Sequence, residues 1–163
     1  MARVTDRLLK IYLSDHLAAA TAGVALARRA ARSNAGNATG DFLQRLATEI
    51  DDDRRTLRRV AVDFGVSGSR SKEVVALFAE RLGRLKLNGR LRGYSPLSRV
   101  LELEALSVGI AGKLALWQSL QASPGLAPRL GGAGLNDLVE RARRQRAEVE
   151  EHRIAAAQAA FGR

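Results

Sequence analysis

The chain has no cysteine. Disulfides, zinc–thiolate sites, iron–sulfur clusters and cysteine nucleophiles are therefore excluded, and nothing points to an oxidising compartment. Proline is almost as scarce: Pro96, Pro124 and Pro128 are the only three, all in the second half. Histidine occurs twice, at His16 and His152. Lysine is also rare, with 23 of the 27 basic residues being arginine. Long hydrophobic runs are missing too. The longest uncharged run near the start, Leu17 to Ala27, is too short to span a bilayer. Arg3, Arg7 and Lys10 precede an apolar stretch ending in "ALA", the outline of a signal peptide, but Asp15 and His16 interrupt its hydrophobic centre. A cytoplasmic protein with no membrane segment is expected. No glycine-rich phosphate loop of standard spacing and no nucleophile–base pair is visible, so hydrolase and kinase readings lack support.

What is present is helix-forming sequence. Length points to a single domain over 1–163, large enough for a sizeable core. Proline-free stretches rich in Ala, Leu, Arg and Glu predict long helices over about 5–33, 40–65, 96–122 and 133–161, with a shorter one over about 71–88. The breaks are "SNAGNATG", "GVSGS", the "NG" at 88–89 and "SPGLAPRLGGAG". Ser95 and Pro96 read as the N-cap and first residue of the third long helix. Short loops make the first two long helices antiparallel neighbours, and likewise the last two. The long connection between the pairs can return the chain to the other end of the bundle, so that the second and third long helices run parallel. A simple up-and-down bundle with the fifth helix packed outside is the alternative.

Each long helix carries an acid or histidine in or beside an apolar stripe. The first has Asp15 and His16. The second has Glu49 and Asp53 within Phe42, Leu46, Ile50 and Leu57, with Asp52 adjacent. The third has Glu104 among Leu97, Leu101 and Val108, although a bulkier face runs through Leu103, Leu106, Ile110 and Trp117. Glu102, which shares a face with Arg99 and Lys113, is expected in solvent. The fourth has His152 on its seam, flanked by Glu148 and Glu151. At a rise of about 1.5 Å per residue, Glu49, Glu104 and His152 lie about 14 Å from the end where the first two helices join. Asp53 and Glu148 come out at roughly 20 Å, and Asp15 and His16 at about 22–26 Å. Buried acids need a cation, a proton or arginine partners.

This pattern resembles the ferritin-like superfamily: four helices, one long crossover, and carboxylates on all four. In its di-iron and di-manganese members, a Glu from each of two helices joins a Glu-x-x-His motif from each of the others. The resemblance implies Asp15 and Glu104 as the single carboxylates, and Glu49 and Glu148 as first members of the two motifs. The motif itself is absent. Asp52 and Glu151 stand where histidine is expected, with His152 one residue late. The implied function is a divalent-metal site, with Fe or Mn favoured by an oxygen-rich donor set. A metal-free descendant with arginine-paired acids is the other reading.

The segment between the helix pairs is basic, with Arg84, Lys86, Arg90 and Arg92 and no acid between Glu80 and Glu102. With the net charge of +10, it is a candidate for an acidic partner or nucleic acid. Arginine content of this kind also fits a GC-rich genome. A non-enzymatic helical interaction module, self-associating as a homo-oligomer or holding an anionic partner on this segment, is the alternative to the metal protein.

Overall fold

The computed structural model describes residues 2–66, 94–123, 125–126, 130 and 134–162, with side chains from residue 6 onwards. The expected short helix over 71–88 and the basic residues Arg84, Lys86, Arg90 and Arg92 lie outside the described residues. Among the described residues four helices are present: α1 (Ala2–Ser33), α2 (Ala38–Asp63), α3 (Pro96–Gln121) and α4 (Leu135–Phe161). None is long and apolar enough to cross a membrane.

The helix ends follow local chemistry. Asn37 caps α2, its side chain accepting from the Gly40 amide at 3.1 Å. The preceding turn needs glycine twice. Gly36 has a φ of +85°, and a Cβ on Gly40 would come within 2.1 Å of the Asn34 carbonyl oxygen. Ser95 caps α3 by accepting from the Ser98 amide at 3.1 Å, and Pro96 occupies the first turn, where no amide hydrogen is required.

Side-chain pairs fix the helix directions. Arg28 reaches Asp51 across the α1–α2 turn, which makes these helices antiparallel. Arg29, near the end of α1, meets Glu102, near the start of α3, while Tyr12 meets Ser119 at the opposite ends. α1 is thus antiparallel to α3 as well, and α2 and α3 run parallel. α4 is antiparallel to α2, through Arg141 on Asp53 and Gln145 on Glu49. The result is an all-α four-helix bundle with one long connection. α1 sits beside α2 and α3, and α4 sits beside α3 and α2.

The core is in two parts. One gathers Ala27, Leu43, Leu46, Leu103, Leu106 and Val149 near the α1–α2 turn. The other gathers Leu13, Leu57, Val60, Leu116, Trp117 and Leu138 towards the opposite end. On α2, α3 and α4 the boundary between them falls at Asp53, Lys113 and Gln145.

Candidate functional site

The residues at that boundary form one polar layer. Asp53 is 1% exposed. Its Oδ2 accepts from Lys113 Nζ at 2.5 Å, and its Oδ1 lies 3.2 Å from an Arg141 guanidinium nitrogen. Lys113 also donates to the Gln145 side-chain oxygen, and Gln145 Nε2 donates to Glu49 at 2.8 Å. Burial pulls the Lys113 amine below its ordinary range, and the Asp53 charge opposes that shift. Two cations and two carboxylates therefore balance inside the bundle.

Two further clusters pair acids with arginine. Asp51, buried, receives Arg28 at 3.2 Å and Arg54 and Arg55 at 2.9 Å. The hydrogen bonds from Arg55 and Arg54 hold its carboxyl below the usual range. Glu102 is 2% exposed, correcting the expectation that it faces solvent. It accepts from Arg29 at 2.7 Å and from the Tyr94 hydroxyl at 2.8 Å. Asn34 donates to Tyr94 at 2.9 Å and accepts from Arg99 at 2.6 Å. Burial pushes the Tyr94 hydroxyl up to about 12; the Asn34 hydrogen bond works against that shift and Glu102 reinforces it. The mixed face Arg99–Glu102–Lys113 is thus turned inward, because α1, the turn after it and α2 supply a partner for each of its charges. No pattern within α3 alone signals this.

The anticipated metal ligands are dispersed. Asp15, Asp52 and Glu151 are exposed, with Asp52 paired to Arg55 at 3.2 Å. Glu104 has a side chain 47% exposed, 3.7 Å from Arg153. Glu148 is half-buried on α4. His152 stacks on Phe42, ring centroids 4.1 Å apart, with Thr39 Oγ1 3.4 Å from its Nδ1. His16 is half-buried, edge-on to Tyr12. Burial lowers both histidines below their usual pKa, against Asp15 for His16 and against Glu151 and Glu148 for His152. Depths estimated from level helix ends fail for α4, which runs past the start of α2. His152 therefore meets Thr39 and Phe42, and Glu49 meets Gln145, two turns away. Of the anticipated set, Glu49 and Asp53 come together in the polar layer. No three His, Asp or Glu side chains among the described residues converge to hold a metal ion. Asp53 is already held by Lys113 and Arg141, and Glu49 accepts from Gln145, so this donor set does not fit a di-metal centre.

Asp53 and Lys113 of the polar layer, with Arg54, also line a crevice of about 420 Å³ between α1 and α3. Ala19 and Gly23 of α1 and Gly109 and Gly112 of α3 wall it, and it opens beside Val108, which is exposed. Leu116, Trp117 and His16 complete the lining named here. A Cβ on Gly23, Gly109 or Gly112 would meet nothing within 4 Å. Lys113, Trp117 and the glycines carry this site, and the sequence reading placed no site on them. A signal was available: three glycines stand inside strong helices, where each costs about 1 kcal/mol relative to alanine. The sequence matches no protein-family model, and no curated protein or solved structure matches it.

Proposed function

We propose that this protein is a binding module that takes a small, largely apolar molecule into the crevice between α1 and α3. The observation that carries the reading is the trio Gly23, Gly109 and Gly112. Small residues on facing helices ordinarily let backbones approach, yet here the space beside each one is open. Helix stability is given up at three positions without a gain in packing, which makes sense if the space itself is used. The volume lies in the range of small-molecule sites, and apolar walls with a few polar groups at the base are their usual composition.

A neutral hydrophobic probe, N-phenyl-1-naphthylamine, tests this. Its fluorescence should rise on binding, with a concurrent change in Trp117 emission. Gly112→Leu, whose side chain projects into open space, should fold normally and lose binding. Absence of probe binding to the wild-type protein, or undiminished binding to Gly112→Leu, would refute the reading. On this proposal any ferritin-like ancestry is a metal-free one, with Lys113 and Arg141 supplying the positive charge that a metal would bring to Asp53. Mn(II) or Fe(II) should then leave the melting temperature unchanged.

The net charge of +10 favours a second, separate reading, an anionic partner held by Arg84, Lys86, Arg90 and Arg92. Retention on heparin should fall steeply with salt and weaken when Arg84, Arg90 and Arg92 are together changed to alanine. Salt-insensitive or absent retention at low ionic strength ends it.

A further inference from the structure

On the outer α1–α2 face, arginine outnumbers acid. Three guanidiniums converge there on the buried carboxylate of Asp51: Arg28 at 3.2 Å, Arg54 at 2.8 Å and Arg55 at 2.9 Å. Asp52 takes a further contact from Arg55 at 3.2 Å. Three arginines thus meet two aspartates, and positive charge is left over. That excess reaches water, since the side chains of Arg28 and Arg55 are 56% and 60% exposed. Each guanidinium has five N–H donors, and a shared carboxylate occupies only part of them. Asp51 also holds these side chains in place, which lowers the ordering cost of binding an anion.

Helix spacing lengthens the patch. Arg32 stands four residues after Arg28, and Arg58 three after Arg55, so each shares a face with its neighbour. Both are exposed, and neither is held in a hydrogen bond or ion pair among the described residues. Because Arg28 lies level with Asp51 on antiparallel helices, Arg32 and Arg58 extend the row in opposite directions. The row Arg32, Arg28, Arg55, Arg58 then covers about 16 Å along the bundle.

A straight row of guanidiniums suits a linear array of phosphates, whose oxygens match the arginine fork in pairs. A nucleic-acid duplex carries one charge per about 1.7 Å of its axis, so a row of this length faces several phosphates at once. Proteins that hold single strands offer aromatic platforms to the bases. Here Thr21, Ala25, Gln44 and Thr48 stand beside the row instead. Surfaces that enter a bilayer carry a set of aliphatic or aromatic side chains next to the charges, whereas Val62, one turn past Arg58, stands alone.

We propose that the outer α1–α2 face binds the phosphate backbone of duplex nucleic acid, without reading its sequence, through Arg28, Arg32, Arg55 and Arg58. This surface is separate from the crevice and from the basic segment holding Arg84, Lys86, Arg90 and Arg92.

Fluorescence anisotropy with labelled DNA duplexes of about 20 base pairs, between about 50 and 200 mM salt, tests it. Arg32→Gln/Arg58→Gln removes two charges and leaves Asp51 its three partners, so circular dichroism and melting should be unchanged. The slope of log affinity against log salt should become shallower by about 2, equally on two unrelated sequences. Arg143→Gln/Arg146→Gln removes the same charge from α4, beside Leu114 of α3, and should leave the slope as it was. The triple change of Arg84, Arg90 and Arg92 to alanine should retain duplex binding that Arg32→Gln/Arg58→Gln weakens further. No binding by the wild-type protein at about 50 mM salt overturns the proposal, as does an unchanged slope in Arg32→Gln/Arg58→Gln. An equal loss in the α4 variant also overturns it, because net charge alone would then account for binding. Abolition of all binding by the triple change places the contact on the basic segment and overturns it too. Vesicles of phosphatidylcholine and phosphatidylserine should not displace the duplex, and displacement would assign the row to a lipid surface instead.

Discussion

Glu102 and Glu104 are two residues apart and have opposite fates. Glu102 is enclosed by Arg29 and Tyr94, whereas Glu104 faces water with Arg153 at 3.7 Å. Removing one member of a buried ion pair leaves the other uncompensated, at a cost of about 3–5 kcal/mol, while an exposed pair contributes at most about 1 kcal/mol. Because Arg29 is itself partly exposed, the lower end of the buried range applies. Glu102→Ala should therefore lower unfolding stability by about 3 kcal/mol, and Glu104→Ala by less than about 1 kcal/mol, in urea titrations. Comparable losses would contradict the assignment. The sequence suggests the reverse, because Glu104 stands among aliphatic residues and Glu102 among charged ones. Polarity along one helix does not reveal a face whose charges are matched by neighbouring helices. That is why the inward turn of Lys113 and Glu102 could not be read from α3 alone.

At the scale of the helix, much more was legible. The caps at Ser95 and Pro96, the break at "SNAGNATG" and the long proline-free stretches set α1 to α4 to within about three residues of their observed ends. These signals are local, so they survive without tertiary information. Axial offset between helices is not local, and level ends put His152 beside Glu49 when it lies beside Thr39 and Phe42. The glycines make the helix-scale prediction. Gly23→Ala, Gly109→Ala and Gly112→Ala should each raise stability by about 0.5–1 kcal/mol, since the new methyl group meets nothing and the unfolded chain loses freedom. Gly40→Ala should do the opposite, because its Cβ would collide with the Asn34 carbonyl. Melting temperatures of the four single variants decide the matter.

For the molecule as a whole, acidity should weaken the fold before any carboxylate protonates. His16 and His152 are held below their ordinary pKa by burial. Between the folded pKa and about 6.5, the unfolded chain binds more protons than the folded one, so stability falls as pH drops from about 6.5 towards the folded values. Denaturant midpoints at pH 7.5 and 5.5 should differ in that sense, and the difference should shrink in His16→Gln/His152→Gln. An unchanged midpoint in the wild-type protein would show that neither imidazole is disfavoured as a cation. Asp51 adds a loss in the same direction at lower pH, as its arginine-stabilised carboxylate is neutralised.

The polar layer that divides the core also works as a gauge of helix register. An uninterrupted leucine seam would let one helix slide along its neighbours by a turn and repack at little cost. In this bundle, a one-turn slide of α3 moves Lys113 by about 6 Å, away from Asp53 and towards leucine. The slipped arrangement leaves both an ammonium and a carboxylate buried and unmatched, so it is rejected by several kcal/mol. Replacing the whole network in Asp53→Leu/Lys113→Met/Arg141→Leu/Gln145→Leu should therefore separate two properties that usually travel together. Its unfolding free energy should be equal to or above that of the wild-type protein, while its amide NMR spectrum should broaden or multiply as neighbouring alignments become accessible. Much of what these charges contribute is then exclusivity, one alignment of four helices out of several that hydrophobic burial alone would accept.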